Sequence, residues 1–397
     1  MKKRYRLPAL ITACVAGIAL GVLCMTGIFM FRLGGPDSFP YAIKFAAVFN
    51  SIENDYVGDA DMNKVSDAAY SAMVESIGDR WSYYMNAKQY EEYKQYQKNS
   101  YNGIGVTIES DETSGLYKVV AILEDSPASR AGVKIGDLLY AVDKKSLAGM
   151  SSSQIKELIS GKKGKFEMTL QSGEGDKRTV TVSTELVYSK PVSYEMLNGE
   201  IGYIRVKNFE SDSGDGINKA LDELVSAGAK GIVFDVRNNP GGLLSELLKA
   251  LDHILPEGDI FVSVDKDGNE NIRKSDASCV KIPMAVLINE NSYSAAEFFG
   301  AALSEYGWAV LVGTPTTGKA RSQVNIVLPD GSAVHLSTNS YLTPKRLDLA
   351  KEGGLKPNIE VSMDKEYEPY LAAGVLEHGN DKQLMAAVEE IKRQNDK

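Results

Sequence analysis

The chain has 397 residues, 43% of them hydrophobic and 24% charged, with a net charge of −9. That balance excludes a disordered or fibrous protein, and the length leaves room for two or three domains. The first 32 residues carry five positive charges and no acid, so the remainder is more acidic than the total; an acidic body without a basic stripe argues against nucleic acid as a partner.

Residues Pro8 to Phe31 contain no charge. At about 1.5 Å per residue they span roughly 36 Å, enough to cross a bilayer with some tilt. The basic flank precedes the run, which keeps the N-terminus cytoplasmic and turns the body outward. A cleavable signal peptide would have a shorter apolar core and a small-x-small exit, of which Thr26 and Gly27 offer only a weak form. A lipoprotein-type cysteine needs a small residue before it, and Leu23 precedes Cys24. The expectation is an uncleaved anchor over residues 1–32. Cys279 is the one cysteine beyond the apolar run, so no disulfide can form within the body. No Cys/His cluster has metal-ligand spacing, and neither a metal nor a cofactor is expected.

A linker-like LGGPDSFP follows, then two helical patterns. Phe45, Phe49, Ile52 and Tyr56 share one face of the first; Val65, Ala69, Met73 and Ile77 share one face of the second, stopped by Gly78. The tyrosine-dense stretch GDRWSYYMNAKQYEEYKQYQ reads as part of a helical region, 33–99, that packs on the rest or on another subunit. Nothing in it marks a reaction site.

From Tyr101 the pattern turns to strands: YNGIGVTIE, YKVVAIL, then DSPASRAGVKIGDLLYAVD. SSSQIKELISG is a helix with a Ser151–Gln154 capping box, and FEMTLQS and RTVTVSTEL close the unit. Residues 100–187 resemble a PDZ domain through Gly103-Ile104-Gly105-Val106 and the stretch Ser126 to Asp137. A Gly-rich turn there lets backbone N–H groups converge on a terminal carboxylate while a peptide adds as an edge strand.

Residues 188–365 alternate strand and helix, implying an α/β layer architecture. IGYIRVKNF, KGIVFDV and IPMAVLI read as strands; Ile217, Leu221 and Leu224, then Leu243, Leu247, Leu251 and Ile254, mark the inward faces of two helices. The run Asp235 to Gly242 sets a Gly-Gly turn at the end of a buried strand, where backbone N–H groups favour anionic oxygen. NIVLPDGSAVHLSTNSYLTP is a hairpin turned at Pro329-Asp330-Gly331, and the helical tail, 366–397, serves packing or assembly.

Ser294 opens a helix whose apolar face is Ala295, Phe298, Phe299, Ala302, Leu303 and Tyr306. Ser294-x-x-Glu297 reads as a capping box, but a helix N-terminus also suits a nucleophile, since the free N–H of Ala295 would stabilise an oxyanion. A serine needs a base. The chain has three histidines, His253, His335 and His378, none in a marked setting; a triad of Ser294, His335 and Asp235 stays open on spacing alone. Lys319, in a Thr/Gly turn after a strand, is the better candidate, provided burial lowers its pKa from about 10.4 towards roughly 7–8. Gln323 lies four residues on: one helical turn would bring its amide to the ammonium, whereas extended chain would carry it about 13 Å away.

Taken together, residues 43–385 resemble the carboxyl-terminal processing peptidases, the tail-specific serine proteases. The resemblance rests on the YYM element, the PDZ unit, DVRNNPGG, NENSYSAAE, GTPTTGKARSQ and KPNIEV. It implies Ser294 as nucleophile, Lys319 as general base and Gln323 as its orienting amide. It also implies an oxyanion hole from Ala295 with Gly241 or Gly242, and a crotonase-like ββα core with an inserted PDZ domain. Tyr293, Asp79-Arg80-Trp81 and Ser160 depart from the family pattern, at positions that bear on the substrate pocket and on coupling of the PDZ unit to the active site. The expected protein is a membrane-anchored, outward-facing serine endopeptidase acting on protein tails, with a homo-oligomer possible. The alternative is a non-catalytic PDZ scaffold that keeps the protease fold.

Overall fold

The computed structural model describes residues 7–111, 113–173 and 175–396. The chain divides into two units after Gly78. The first holds three helices, α1 (Leu7–Arg32), α2 (Phe39–Asp55) and α3 (Met62–Glu75). α1 is long and apolar enough to cross a membrane. Asp61 caps α3 by accepting from the N–H groups of Asn63 and Lys64, and Phe45 stacks on Tyr70 at 5.8 Å, closing α2 on α3.

The second unit opens with β1 (Tyr83–Met85) and α4 (Ala87–Gln97), whose Asn86–Gln89 capping box is reciprocal. β2 (Ser100–Gly103) pairs antiparallel with β9 (Glu185–Tyr188) and forms the stem of an inserted β-domain. Its sheet runs β3 (Val106–Asp111), β4 (Leu116–Ile122), β5 (Asp137–Val142), β7 (Lys165–Ser172), β8 (Lys177–Ser183), with the short β6 (Lys145–Ser146) beside β5. α5 (Pro127–Arg130) and α6 (Ser152–Ser160) complete it, and α6 carries the Ser151–Gln154 box read from sequence. Ile155, Leu139, Met168 and Leu170, all buried, centre this core.

The remaining chain builds two sheets. One runs β10 (Val192–Leu197), β11 (Ile201–Val206), β12 (Gly231–Asp235), β15 (Met284–Ile288), β16 (Ala309–Gly313), β19 (Ile359–Glu360), parallel from β11 onward. Every residue of β12 and β15 is buried, as expected of parallel strands covered on both faces, and this is why they read as unbroken apolar runs. Helices α7 (Ser213–Ser226), α8 (Leu244–Ile254) and α9 (Ala295–Glu305) contribute to the main core around Phe209, Phe234, Phe298 and Phe299. The other sheet links β1, β18 (Ala333–Leu342), β13 (Gly258–Val264) and β14 (Glu270–Ser275), with β17 (Arg321–Val327) hairpinned onto β18.

Of the last helices, α10 (Leu349–Glu352), α11 (Glu368–Ala373) and α12 (Lys382–Asn395), α12 covers the opposite face of the parallel sheet, packing Leu384, Ala387 and Ile391 against Val233, Ala285 and Leu287. A buried ion network pins it: Arg237 bonds Asp235, Asp381 and Gln383, and Tyr203 donates to Asp235 at 2.7 Å. The end of β12, which leads into the Gly-Gly turn, is thus anchored from the far end of the chain.

Candidate active site

Two turns at the carboxyl ends of the parallel strands meet through one carboxylate. β15 ends at Ile288, and Ser294 follows at the start of α9 with φ 58° and ψ −124°. A non-glycine residue rarely takes this conformation, and a strained serine between strand and helix is typical of a nucleophile; Ser294 is itself buried, 6% exposed. The turn is clamped: Ser292 Oγ donates to Val236 O at 2.8 Å and Tyr293 N–H to Asn239 O at 3.1 Å. Glu297 accepts from Ser294 N–H at 2.8 Å, the carboxylate arm of the expected capping box. α9 differs from the one-faced pattern read from sequence. It is buried on every side from Ala295 to Leu303, because small residues such as Ala296, Gly300 and Ala301 let neighbours close on the face opposite the phenylalanines.

The same Glu297 side chain, fully buried, builds the lysine turn. It also accepts from Thr316 Oγ1, from Gly318 N–H at 2.6 Å and from Lys319 N–H at 2.9 Å. Ser294 and Lys319 therefore donate to one oxygen, Oε2, which places their backbone nitrogens within roughly 6 Å of each other, since two such bonds span no more. Their side chains are not hydrogen-bonded to one another. The Ser294 hydroxyl interacts instead with the phenol of Tyr341, which burial pushes up to about 12.

Lys319 is desolvated. Its Nζ lies 4.7 Å from the Trp81 ring centre and 5.8 Å from that of Tyr293, and these two rings pack at 5.6 Å. Burial lowers the amine to about 8, against the opposing charges of Asp79, Glu297 and Glu210. Asp79 stays ionised: burial opposes its charge, but bonds from Ser337, Ser82 and the Trp81 N–H, with Arg321 nearby, hold its carboxyl below the usual range. The segment 79–85, whose composition marks no reaction site and whose Asp79-Arg80-Trp81 entered only as a departure from the family pattern, thus walls the candidate base. β1 pairs with β18, setting Tyr83 opposite His335, and this registers the segment at the cleft. A Trp–Tyr pair 212 residues apart in sequence leaves no local signal.

The two glycines offered for the oxyanion hole differ. Gly241 has φ 87°, and a Cβ there would sit 2.8 Å from Ser294 Cβ, so only glycine lets the turn reach the serine. Its N–H is taken by Asn239 Oδ1 at 2.8 Å. Gly242 is exposed, and the chain around it is fixed by Phe209 N–H to Gly241 O and Leu243 N–H to Phe209 O, both 2.7 Å. A Cβ on Gly241 would also lie 2.9 Å from Ala295 N, so Gly241 is the glycine that meets the start of α9, while Gly242 abuts Phe209 and Glu210.

Three sequence candidates fall elsewhere. Gln323 lies in β17, extended rather than one helical turn above Lys319, and its amide donates to Ser337 Oγ at 2.9 Å and Arg321 O at 3.1 Å. Its link to the lysine is indirect, since Ser337 also bonds Asp79. His335 Nδ1 pairs with Asn325 at 2.7 Å, and Asp235 is locked to Arg237 and Tyr203, so the two do not assemble the histidine triad that spacing left open. In the β-domain, Gly103, Ile104, Gly105 and Val106 line a cavity of about 370 Å³ with Ile108, Leu139, Ile155 and Ile159 between β3 and α6. Gly105 has φ 81°, and the Ile104 and Gly105 carbonyls accept from Ala128 and Leu123 N–H.

Strand–turn–helix presentation of a strained serine beside a desolvated lysine, on an α/β core carrying a peptide-groove domain, describes a serine peptidase. Residues 200–361 match peptidase family S41 and residues 118–172 match the PDZ domain. The chain is 33% identical over 341 residues to the carboxy-terminal processing protease CtpA of Bacillus subtilis, covering 83% of this chain and 71% of that protein. It belongs to the S41 carboxyl-terminal processing serine proteases. A CtpA-like serine protease of Staphylococcus epidermidis is 27% identical over 327 residues, 81% of this chain and 66% of that relative. In fold the chain is similar to a photosystem II D1 C-terminal processing protease (TM-score 0.50, 22% identity, 86% of this chain and 92% of that one). It is also similar to an S41 structure from Bacteroides fragilis NCTC 9343 (TM-score 0.59, 18% identity, 81% and 90%).

Proposed function

We propose that this protease cleaves protein tails by a Ser–Lys mechanism, with Ser294 as nucleophile and Lys319 as general base. The observation that carries the reading is Glu297, whose one carboxylate holds both turns while Trp81 and Tyr293 keep the amine dry. Neutral Lys319 takes the Ser294 proton as Oγ attacks the scissile carbonyl. The N–H of Ala295, with that of Gly241 or Gly242, receives the oxyanion. Lys319 then passes its proton to the departing amine as the C–N bond breaks, leaving an acyl-enzyme. A water gives up a proton to Lys319 and attacks the ester carbonyl; as the C–O bond to Ser294 breaks, Lys319 returns that proton to Oγ, releasing the new C-terminus and restoring the serine hydroxyl and the neutral amine. Catalytic hydrogen bonds often tighten only with substrate bound, so the Tyr341 contact of the resting hydroxyl is compatible with this sequence of steps.

The groove at Gly103, Ile104, Gly105 and Val106 takes the substrate's C-terminal residues as an added strand. Gln323 acts through Ser337 and Asp79, as a positioning residue for Lys319. α1 anchors the protein in a membrane with the catalytic body outside. The test is cleavage of a tail-bearing substrate by the purified full chain, wild type beside Ser294→Ala and Lys319→Ala. Loss in both variants with folding retained supports the assignment; equal cleavage by all three rejects it, and no cleavage by any favours a scaffold.

A further inference from the structure

Glu210 is a buried carboxylate that the steps above do not use. It is 5% exposed, and its Oε2 has no hydrogen-bond partner. An orphaned buried acid is costly to keep, so its retention asks for a ligand or a role. It sits on the loop after β11, which runs beside the Gly-Gly turn: Phe209 bridges Gly242, and a Cβ on Gly242 would meet Glu210 N at 2.8 Å. Its charge is felt by Tyr83 of β1, by Tyr93 and Tyr96 of α4, and by Lys319, while Glu246 of α8 acts on it in turn.

These tyrosines are not sealed in. Tyr83 is 38% and Tyr96 45% exposed, and the Glu210 loop meets the end of α4 through Ser211 N–H to Gln97 O at 3.0 Å and the Asn99 amide to Ser211 O at 2.7 Å, so an aromatic wall borders that loop. The wall continues through His335, 4.6 Å from Tyr83 and 5.6 Å from Tyr93, and through Trp81 and Tyr293. Rings here already engage cations: Arg80 lies 4.3 Å and Lys319 4.7 Å from the Trp81 centre. Aromatic faces around an unpaired carboxylate form a receptor for a cationic side chain rather than an apolar or acidic one.

We propose that Glu210 is a specificity-determining residue: it floors an aromatic-walled subsite beside the oxyanion turn that takes a lysine or arginine side chain of the polypeptide substrate. The assignment rests on the Ser294–Lys319 reading, because it places the subsite next to that pair. Burial, with the Glu246 charge, raises the Glu210 carboxyl to about 7 against the pull of Lys319, so the subsite becomes anionic near neutral pH.

The test uses the full chain and fluorogenic tail peptides that vary one residue at a time, within two positions of the scissile bond, between lysine, arginine, norleucine and glutamate. The readout is the ratio of kcat/KM for lysine over norleucine at each position. In wild type one position gives a ratio of about tenfold or more at pH 8.5. That ratio drops at least fivefold in Glu210→Gln, and it declines in wild type towards pH 6. The proposal is overturned if no position prefers lysine, if Glu210→Gln keeps the wild-type ratio, or if the wild-type ratio is flat with pH. Should Glu210→Gln fail to fold, the wild-type pH series decides alone. Failure of the Ser294–Lys319 reading is seen separately, as Ser294→Ala cleaving every peptide as wild type does.

Discussion

The lysine's protonation makes a quantitative demand on activity. With Lys319 at about 8, roughly a tenth of the amine is neutral at pH 7; at the ordinary value near 10.5 the share is about 0.03%, some 300-fold less. kcat/KM on a tail peptide should fall tenfold per pH unit below about 8 and level off above it. Stability carries the same signature. The folded value lies below the unfolded one, so between about 8 and 10.5 the unfolded chain binds the extra proton and stability rises with pH. Below about 8 the cost of holding a buried ammonium is fully present. It is about 3 kcal/mol from the shift and nearer 2 after allowing for partial solvent screening. Lys319→Met keeps the stem and removes the charge. It should abolish cleavage and raise stability at pH 7 by about 2 kcal/mol, with the gain gone by pH 10.5. Peptide kinetics from pH 5.5 to 9.5 and urea unfolding at both pH values measure this. A limb centred near pH 10, or a Lys319→Met protein less stable than wild type at pH 7, would refute the reasoning.

Asp79→Asn removes the largest charge holding Lys319 up, so the acid limb of kcat/KM should move down by about half to one pH unit; movement upward would deny their coupling. Glu297→Gln keeps the shape but cannot accept at both oxygens from Ser294, Thr316, Gly318 and Lys319, so kcat should drop by roughly a hundredfold or more with KM little changed, in single-substrate kinetics. Arg237→Ala leaves Asp235 and Asp381 buried and unpaired, and should cost about 3–5 kcal/mol in denaturant unfolding; a loss under 1 kcal/mol would show that the α12 anchor is dispensable.

What could be read from sequence was local. β12 and β15 announce themselves as unbroken apolar runs because both faces are covered, and the Ser151–Gln154 box needs only three-residue spacing. Ser294 and Lys319 each stand in a short turn after a strand, but it is the resemblance of the joined motifs to a peptidase family, not either turn alone, that offers them as a pair. What sequence withheld is long-range. Trp81 reaches Tyr293, Arg237 reaches Asp381, and Tyr341 reaches Ser294 only once the sheets are assembled. Glu297 was legible as half a cap, but its hold on the Lys319 turn depends on where β16 delivers Thr316 and Gly318. The two glycines could not be told apart, because the Asn239 side chain that occupies the Gly241 N–H is a matter of turn geometry. Gln323 was ambiguous by periodicity, and the hairpin with β18 decided for extended chain.

The amine's value is a balance of opposing effects, not a consequence of burial alone. Desolvation by itself can drive a lysine down by up to 3–5 units, to where it is neutral but a poor base at neutral pH. Three carboxylates oppose it here, Asp79 most strongly, then Glu297 and Glu210. Each has a second employment: Asp79 is tied through Ser337 towards Gln323, Glu297 builds both turns, and Glu210 sits beside the oxyanion turn. A base held near its working pH by groups that also fix its surroundings loses its tuning when the site comes apart. If the segment 79–85 were displaced, Lys319 would lose the Trp81 ring and the Asp79 charge together. Water would replace both, and the amine would return to its charged, inactive form. Closing β1 onto β18 is therefore a condition for the proposed chemistry, which on that reading depends on a three-residue strand far from the serine in sequence.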